Sequence, residues 1–353
     1  MSRKSLFWIA SVALIGFVSI GVGPSDAATK TASTRATSSR VAAKKAPPQE
    51  RLYSASRSLT RKATLARARA LATAREMAAT TLPRYKVDAS GDLVPDLRAA
   101  AAIIYNPDTN EVLWEENSQS QRSIASITKV MTATVFLETN PDVTEPVTIE
   151  RSDVFQASTT HLKANDRVTV DDLLHLLLIA SDNAAARALA RVSRQGSEGF
   201  VRRMDEKAAE LGLQSTSYAD PSGLLSENVS SAFDMARLIT HASGDERVAS
   251  IMRMPEYTVY TANHRVLTFH STNHLLGRGD VDVRAGKTGF ISKAGYCLAT
   301  LLRLPDGAHQ VAVVVLGARS NAGRFMETQN LFNWLSVKAS TIFATKTPAA
   351  EQQ

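Results

Sequence analysis

The sequence predicts an α+β fold: an antiparallel sheet flanked by helices, with an inserted all-helical subdomain. Three observations carry this. A hairpin-like pair of apolar runs opens the packed region, apolar helical segments fill its middle, and short strand-like runs followed by one long amphipathic segment close it. Strands and helices that segregate in this way pack as a sheet with helices laid against it.

Residues 99–105 and 111–115 are largely apolar and flank Asn106-Pro107-Asp108-Thr109-Asn110, which is a hairpin signal. Residues 127–137 read as a buried helix starting just after Ser126. Thr169 and Asp172 form a capping pair that opens a helix through 173–179. Further helices fit 184–192, 198–211 and 231–241, with Ser197 and Ser230 as caps for the last two. Strands follow at 257–261, 266–269, 283–287, 296–302 and 310–316, and Pro305-Asp306-Gly307 turns the last hairpin. A closing helix fits 322–337, with Phe325, Leu331, Phe332 and Leu335 near one face.

The 353 residues, 44% of them hydrophobic, suffice for at least one large core. The net charge of +7 is uneven: residues 29–94 hold 14 Lys/Arg against 4 Asp/Glu. The remainder is mildly acidic, so nothing in the packed region points to a nucleic-acid partner. Residues 1–27 read as a secretory signal, with Arg3 and Lys4 ahead of the apolar run 6–22 and small residues around Ala27. Residues 28–91 read as a basic Ala/Ser/Arg-rich linker, partly disordered, with helix formers at 52–79. It is either a solvated spacer or a tether in electrostatic contact with wall polymer or a membrane surface. The packed domain is expected over 92–340, with a disordered tail at 341–353 too polar to act as a C-terminal membrane anchor. Cys297 is the only cysteine, so no internal disulfide forms; it sits in an apolar strand and reads as a buried structural thiol.

The chemistry lies in three short motifs: Ser126-Ile127-Thr128-Lys129, Ser181-Asp182-Asn183 and Lys287-Thr288-Gly289. A serine hydroxyl needs a base, and Ser126 and Lys129, three apart, share a helix face. The lysine accepts a proton only when neutral, which requires burial or cationic neighbours, and Lys287 is a candidate neighbour. At a helix start, the N–H of Ser126 and the helix dipole favour an oxyanion. Ser181 ends an apolar helix, where packing can hold a polar triplet rigidly; taken alone, the triplet also reads as a helix junction with Ser and Asp caps. Gly289 allows close approach of a substrate backbone, and Lys287 and Thr288 suit a carboxylate; alone, the triplet also reads as a strand end with a solvated lysine. No metal and no cofactor is expected. The seven histidines form no His-Glu-x-x-His, so a zinc peptidase is a weak option.

The three motifs in this order resemble those of the low-molecular-mass penicillin-binding proteins, the serine D-Ala-D-Ala peptidases. The similarity extends to 125–133, to Asp220-Pro221-Ser222-Gly223-Leu224 and to 285–290, and covers roughly 92–335. The resemblance implies the penicillin-binding protein/β-lactamase-like transpeptidase fold and an exported, periplasmic enzyme. It implies that Ser126 is acylated by the penultimate D-Ala carbonyl, that Lys129 accepts its proton, and that Ser181 relays a proton to the leaving amine. Asn183 would hold the peptide amide, and Lys287 and Thr288 the terminal carboxylate region. The N–H groups of Ser126 and Phe290 would form the oxyanion hole, and Arg319 matches a family arginine that helps recognise the carboxylate. The implied partners are peptidoglycan stem peptides, with β-lactams as covalent inhibitors.

Carboxypeptidases of this group usually continue into a C-terminal β-domain and an amphipathic anchor. The short chain resembles instead the D,D-endopeptidase branch, which cleaves D-Ala–diaminopimelate cross-links; D-Ala-D-Ala carboxypeptidase action is the alternative. A class A β-lactamase is a rival, but none of the glutamates between 184 and 286 has Asn four residues later, as that family requires. A long-lived penicilloyl ester on Ser126 is therefore expected. A non-catalytic wall-binding scaffold is the rival of another class.

Overall fold

The computed structural model describes residues 82–344, preceded by scattered residues between 63 and 78 that are helical and exposed. The expected signal segment lies outside the described residues. So does most of the expected linker.

The strands are β1 (Tyr85–Val87), β2 (Leu93–Pro95), β3 (Ala101–Asn106), β4 (Glu111–Glu116), β5 (Arg122–Ser123), β6 (Pro146–Thr148), β7 (Arg167–Thr169), β8 (Val229–Ser230), β9 (Glu256–Tyr260), β10 (Val266–His270), β11 (Asp282–Ile291), β12 (Gly295–Arg303) and β13 (Gln310–Ala318). The helices are α1 (Thr128–Leu137), α2 (Arg151–Val154), α3 (Val170–Leu178), α4 (Asn183–Val192), α5 (Gly196–Glu210), α6 (Ala232–Ser243), α7 (Glu246–Arg253) and α8 (Asn321–Ala344). The central sheet has five strands in the order β11-β12-β13-β3-β4, every pairing antiparallel. The helical block α1 to α7 is inserted between β4 and β11, apart from short two-stranded pairs. The α+β arrangement expected from the sequence is therefore the one observed.

Period-2 alternation sorts the sheet's side chains into two cores. Ala101, Ile103, Tyr105, Val314 and Leu316 face the inserted helices, whereas Ala102, Ile104, Val313 and Val315 face α8 through Phe325, Leu331, Phe332 and Leu335. Each such Ile, Leu or Phe, fully removed from water, contributes about 1.5–3 kcal/mol before entropy is charged against it. The sheet is thus buried on both faces, and its edge strand β11 is left to border a cleft.

Four expectations are corrected. The domain does not begin at Asp92: β1 pairs with β2, and Trp334 Nε1 donates to Leu93 O at 2.9 Å, which docks the preceding hairpin on α8. α8 continues past the expected tail start to Ala344. β9 and β10 pair only with each other and lie outside the central sheet. Ser231, accepting from Asp234 N, caps α6 in place of Ser230, and Ser197 lies inside α5. The Thr169/Asp172 capping pair forms as expected, with bonds in both directions. Cys297 is fully buried, and burial pushes its thiol up to about 11, the behaviour of an inert packed side chain.

Candidate active site

Ser126 sits in a single 3-10 turn, Ala125–Ile127, that runs straight into α1. Lys129 is one turn further along and entirely buried. Its Nζ lies 3.0 Å from Ser126 Oγ, 2.6 Å from Asn183 Oδ1 and 2.5 Å from Ser222 O. Among the described residues no carboxylate touches it. Burial is the main cause that lowers it to about 7; Asp182 and Asp220 pull it up, and Arg187 pushes it down. A neutral amine has two N–H groups and one lone pair. With both N–H groups given to Asn183 Oδ1 and Ser222 O, the lone pair is left for the Ser126 hydroxyl.

Asn183 opens α4, whose N-cap is Asp182. Asn183 Nδ2 donates to Ala157 O at 2.6 Å, which turns Oδ1 toward Lys129. Asp182 is buried and accepts from Ala185 N and from His161 N. Ser181, just ahead, is held at φ 60, a conformation that side-chain-bearing residues pay for. Its Oγ accepts from Lys287 Nζ at 2.9 Å. Lys287 is also buried, on β11, and also donates to Thr288 O. Burial first, then Lys129 and Arg324, hold Lys287 well below the ordinary lysine value.

Asp220 organises the loop between α5 and β8. Its carboxylate accepts from the N–H groups of Ser222, Gly223 and Leu225 and from the Ser222 hydroxyl. This aims Ser222 O at Lys129. It also lays Gly223, at φ +78, on the peptide before Ser126, where an added Cβ would stand 2.1 Å from Ala125 O. Gly289 serves the opposite wall: a Cβ there would meet Ile124 O at 2.6 Å and Ser126 N at 3.1 Å. Both glycines therefore let backbone press on the Ser126 turn from two sides.

These groups border a cavity of about 440 Å³. Ser126, Ser181, Asn183, Thr288, Gly289 and Phe290 line it, and Lys129 and Lys287 lie buried behind its serines. Arg319 does not. It is exposed on the turn after β13, whereas Arg324, one turn into α8, lines the cavity. The signal missed in the sequence was a cation on the buried stripe of that helix: Arg324, Thr328, Leu331 and Leu335 recur at helical spacing and are all buried. Thr272 was also missed; its hydroxyl lies 2.6 Å from that of Thr288, inside the cavity.

The D-alanyl-D-alanine carboxypeptidase family model, peptidase family S11, matches residues 88–320. This chain belongs to that family. The family of the low-molecular-mass penicillin-binding proteins, expected from the three motifs, is thereby shown, and the chain is a serine-type D-Ala-D-Ala hydrolase. A D-alanyl-D-alanine endopeptidase of Pseudomonas aeruginosa is 32% identical over 69% of this chain and 79% of its own length. The D-alanyl-D-alanine carboxypeptidase DacF of Bacillus subtilis is 29% identical over 67% of this chain and 61% of its own. The crystal structure of the Streptomyces K15 DD-transpeptidase superposes with a TM-score of 0.64 at 28% identity, covering 68% of this chain and 97% of that one. In this S11 peptidase a buried amine thus lies on Ser126, a second buried amine lies on Ser181, and the edge strand β11 runs beside both.

Proposed function

We propose that this S11 peptidase is a D,D-endopeptidase that cleaves D-Ala–diaminopimelate cross-links of peptidoglycan through an ester on Ser126. The chemical part rests on Lys129. Lowered to about 7, it is largely neutral just above neutral pH and lies 3.0 Å from the Ser126 hydroxyl. Ser126 Oγ attacks the D-Ala carbonyl carbon while its proton passes to Lys129. The oxyanion forms against the N–H groups of Ser126 and Phe290. The C–N bond then breaks, and the leaving amine takes up, by way of Ser181, the proton that Lys129 received; Ser181 Oγ is held for this by Lys287 Nζ at 2.9 Å, and Lys129 is left neutral to take the proton of the attacking water. Water attacks the ester next, returning Ser126 and a carboxylate product. Asn183 bonds both the loop and Lys129, and so also borders the space for the peptide amide. Thr272, Thr288 and Arg324 mark the end of the cavity suited to the substrate's carboxylate, with Arg324 in the place that the sequence analysis gave to Arg319.

The observation that favours cross-link cleavage is the extent of the match. The Pseudomonas endopeptidase is matched over 79% of its length, the carboxypeptidase DacF over 61% of its own. We assign the protein to the periplasm, with β-lactams as acylating inhibitors, on the same reading. The test is incubation with a cross-linked muropeptide dimer and, separately, with free pentapeptide, following products by mass with Ser126→Ala as control. Conversion of dimer to monomers supports the endopeptidase. Release of terminal D-Ala with the dimer left intact replaces it by the carboxypeptidase.

A further inference from the structure

Arg324 is buried, yet no carboxylate lies within ion-pairing distance of it among the described residues. A desolvated guanidinium without an acid is costly to keep. Its contacts show where the charge is directed. Nη1 donates to Gly289 O at 3.0 Å and to Cys297 O at 3.1 Å, and Nη2 donates to Asn321 Oδ1. The rings of Tyr296 and Phe325 hold the guanidinium at 5.6 and 5.0 Å. Nε is buried without a partner. Both Nη1 hydrogens are thus committed to backbone carbonyls, and one Nη2 hydrogen is left over for a substrate carboxylate, so binding that carboxylate is not what fixes Nη1.

Gly289 O and Phe290 N–H are the two ends of one planar trans peptide and point in opposite directions. Gly289 pairs with Cys297 across β11 and β12, and Arg324 bridges the carbonyls of that pair. Gly289 O therefore points into the sheet, and Phe290 N–H points out from the edge strand, toward the cavity that Ser126 lines. A cation on an amide oxygen strengthens the same amide as a donor, and a fixed peptide plane needs no reorganisation as charge develops.

We propose that Arg324 is a positioning residue of the oxyanion hole, fixing and polarising the Gly289–Phe290 peptide whose N–H receives the developing oxyanion. The proposal rests on the acyl-serine reading above. Its test uses the full-length protein, Arg324→Lys and Arg324→Gln, with Asn321→Ala as a milder variant that frees the guanidinium without removing it. The infrared stretch of a carbon-13-labelled ester carbonyl is recorded in the acyl-enzyme formed with a labelled penicillin. Acylation rates are measured in parallel with a peptide thioester bearing a free carboxylate and with its carboxamide counterpart. Weaker donation moves the carbonyl band to higher wavenumber in both Arg324 variants and, less far, in Asn321→Ala. Acylation slows about tenfold with both thioesters, part of the ~10²–10³ that loss of a whole oxyanion donor costs. An unmoved band, with a rate loss confined to the carboxylate substrate, overturns the proposal and leaves Arg324 as a carboxylate-recognising group. Absence of any acyl-enzyme in the unmutated protein overturns the acyl-serine reading itself, an outcome distinct from the first.

Discussion

Lys129 Nζ and Asn183 Oδ1 are 2.6 Å apart, 54 residues apart in sequence, and both buried. The contact ties α1, which follows the Ser126 turn, to α4, which opens after Ser181. It also takes up an N–H of Lys129, which keeps the lone pair free for Ser126.

The pH dependence of acylation follows from this arrangement. Lys129 works as a base only when unprotonated, and burial lowers it to about 7. Below that value the amine is charged and the rate falls about tenfold per pH unit; above it the rate levels off. An ordinary lysine, near 10.4, would still be gaining rate at pH 9. Stopped-flow acylation between pH 5 and 9 checks this, and a limb still rising at pH 9 would refute a neutral Lys129 at working pH.

Asp220→Ala removes the acceptor of three backbone N–H groups and one hydroxyl in the loop that aims Ser222 O at Lys129. The expected loss is about 3 kcal/mol of stability, read as a melting point lowered by roughly 6–12 °C. Acylation should slow as well, since Ser222 O no longer fixes the amine. An unchanged melting curve contradicts the role given to Asp220.

Gly289→Ala separates catalysis from stability. The new methyl group meets Ile124 O at 2.6 Å, so the edge strand must move away from the Ser126 turn. The cleft widens by about half an ångström, enough to cost on the order of tenfold in acylation. β11 keeps its pairing with β12, so the melting point should fall far less than for Asp220→Ala. Equal acylation by the variant and the parent protein would show that the strand does not set the oxyanion geometry.

Much of this architecture is written in local pattern. The β3–β4 hairpin, the Thr169/Asp172 cap and the three triplets are legible because each depends on residues close in sequence. What was not legible depends on distant partners. Residues 84–95 look like more of the basic linker until Asn330 and Trp334, on α8, donate to Arg84 O and Leu93 O. α7 is only eight residues long, too short for a clear helical period, although Asp245 caps it. β9 and β10 have the alternation of sheet strands, but nothing local says which sheet they join. Arg319 and Arg324 flank one turn, and only the direction of α8 decides which of them reaches the cavity.

Covalent acylation of Ser126 is the step on which the proposed chemistry depends. Purified protein is incubated with penicillin, its intact mass recorded, and the adduct located by peptide mapping. One long-lived penicilloyl group is expected on the peptide containing Ser126, and none in Ser126→Ala. An adduct on another residue, or no adduct on a folded protein, would contradict that chemistry.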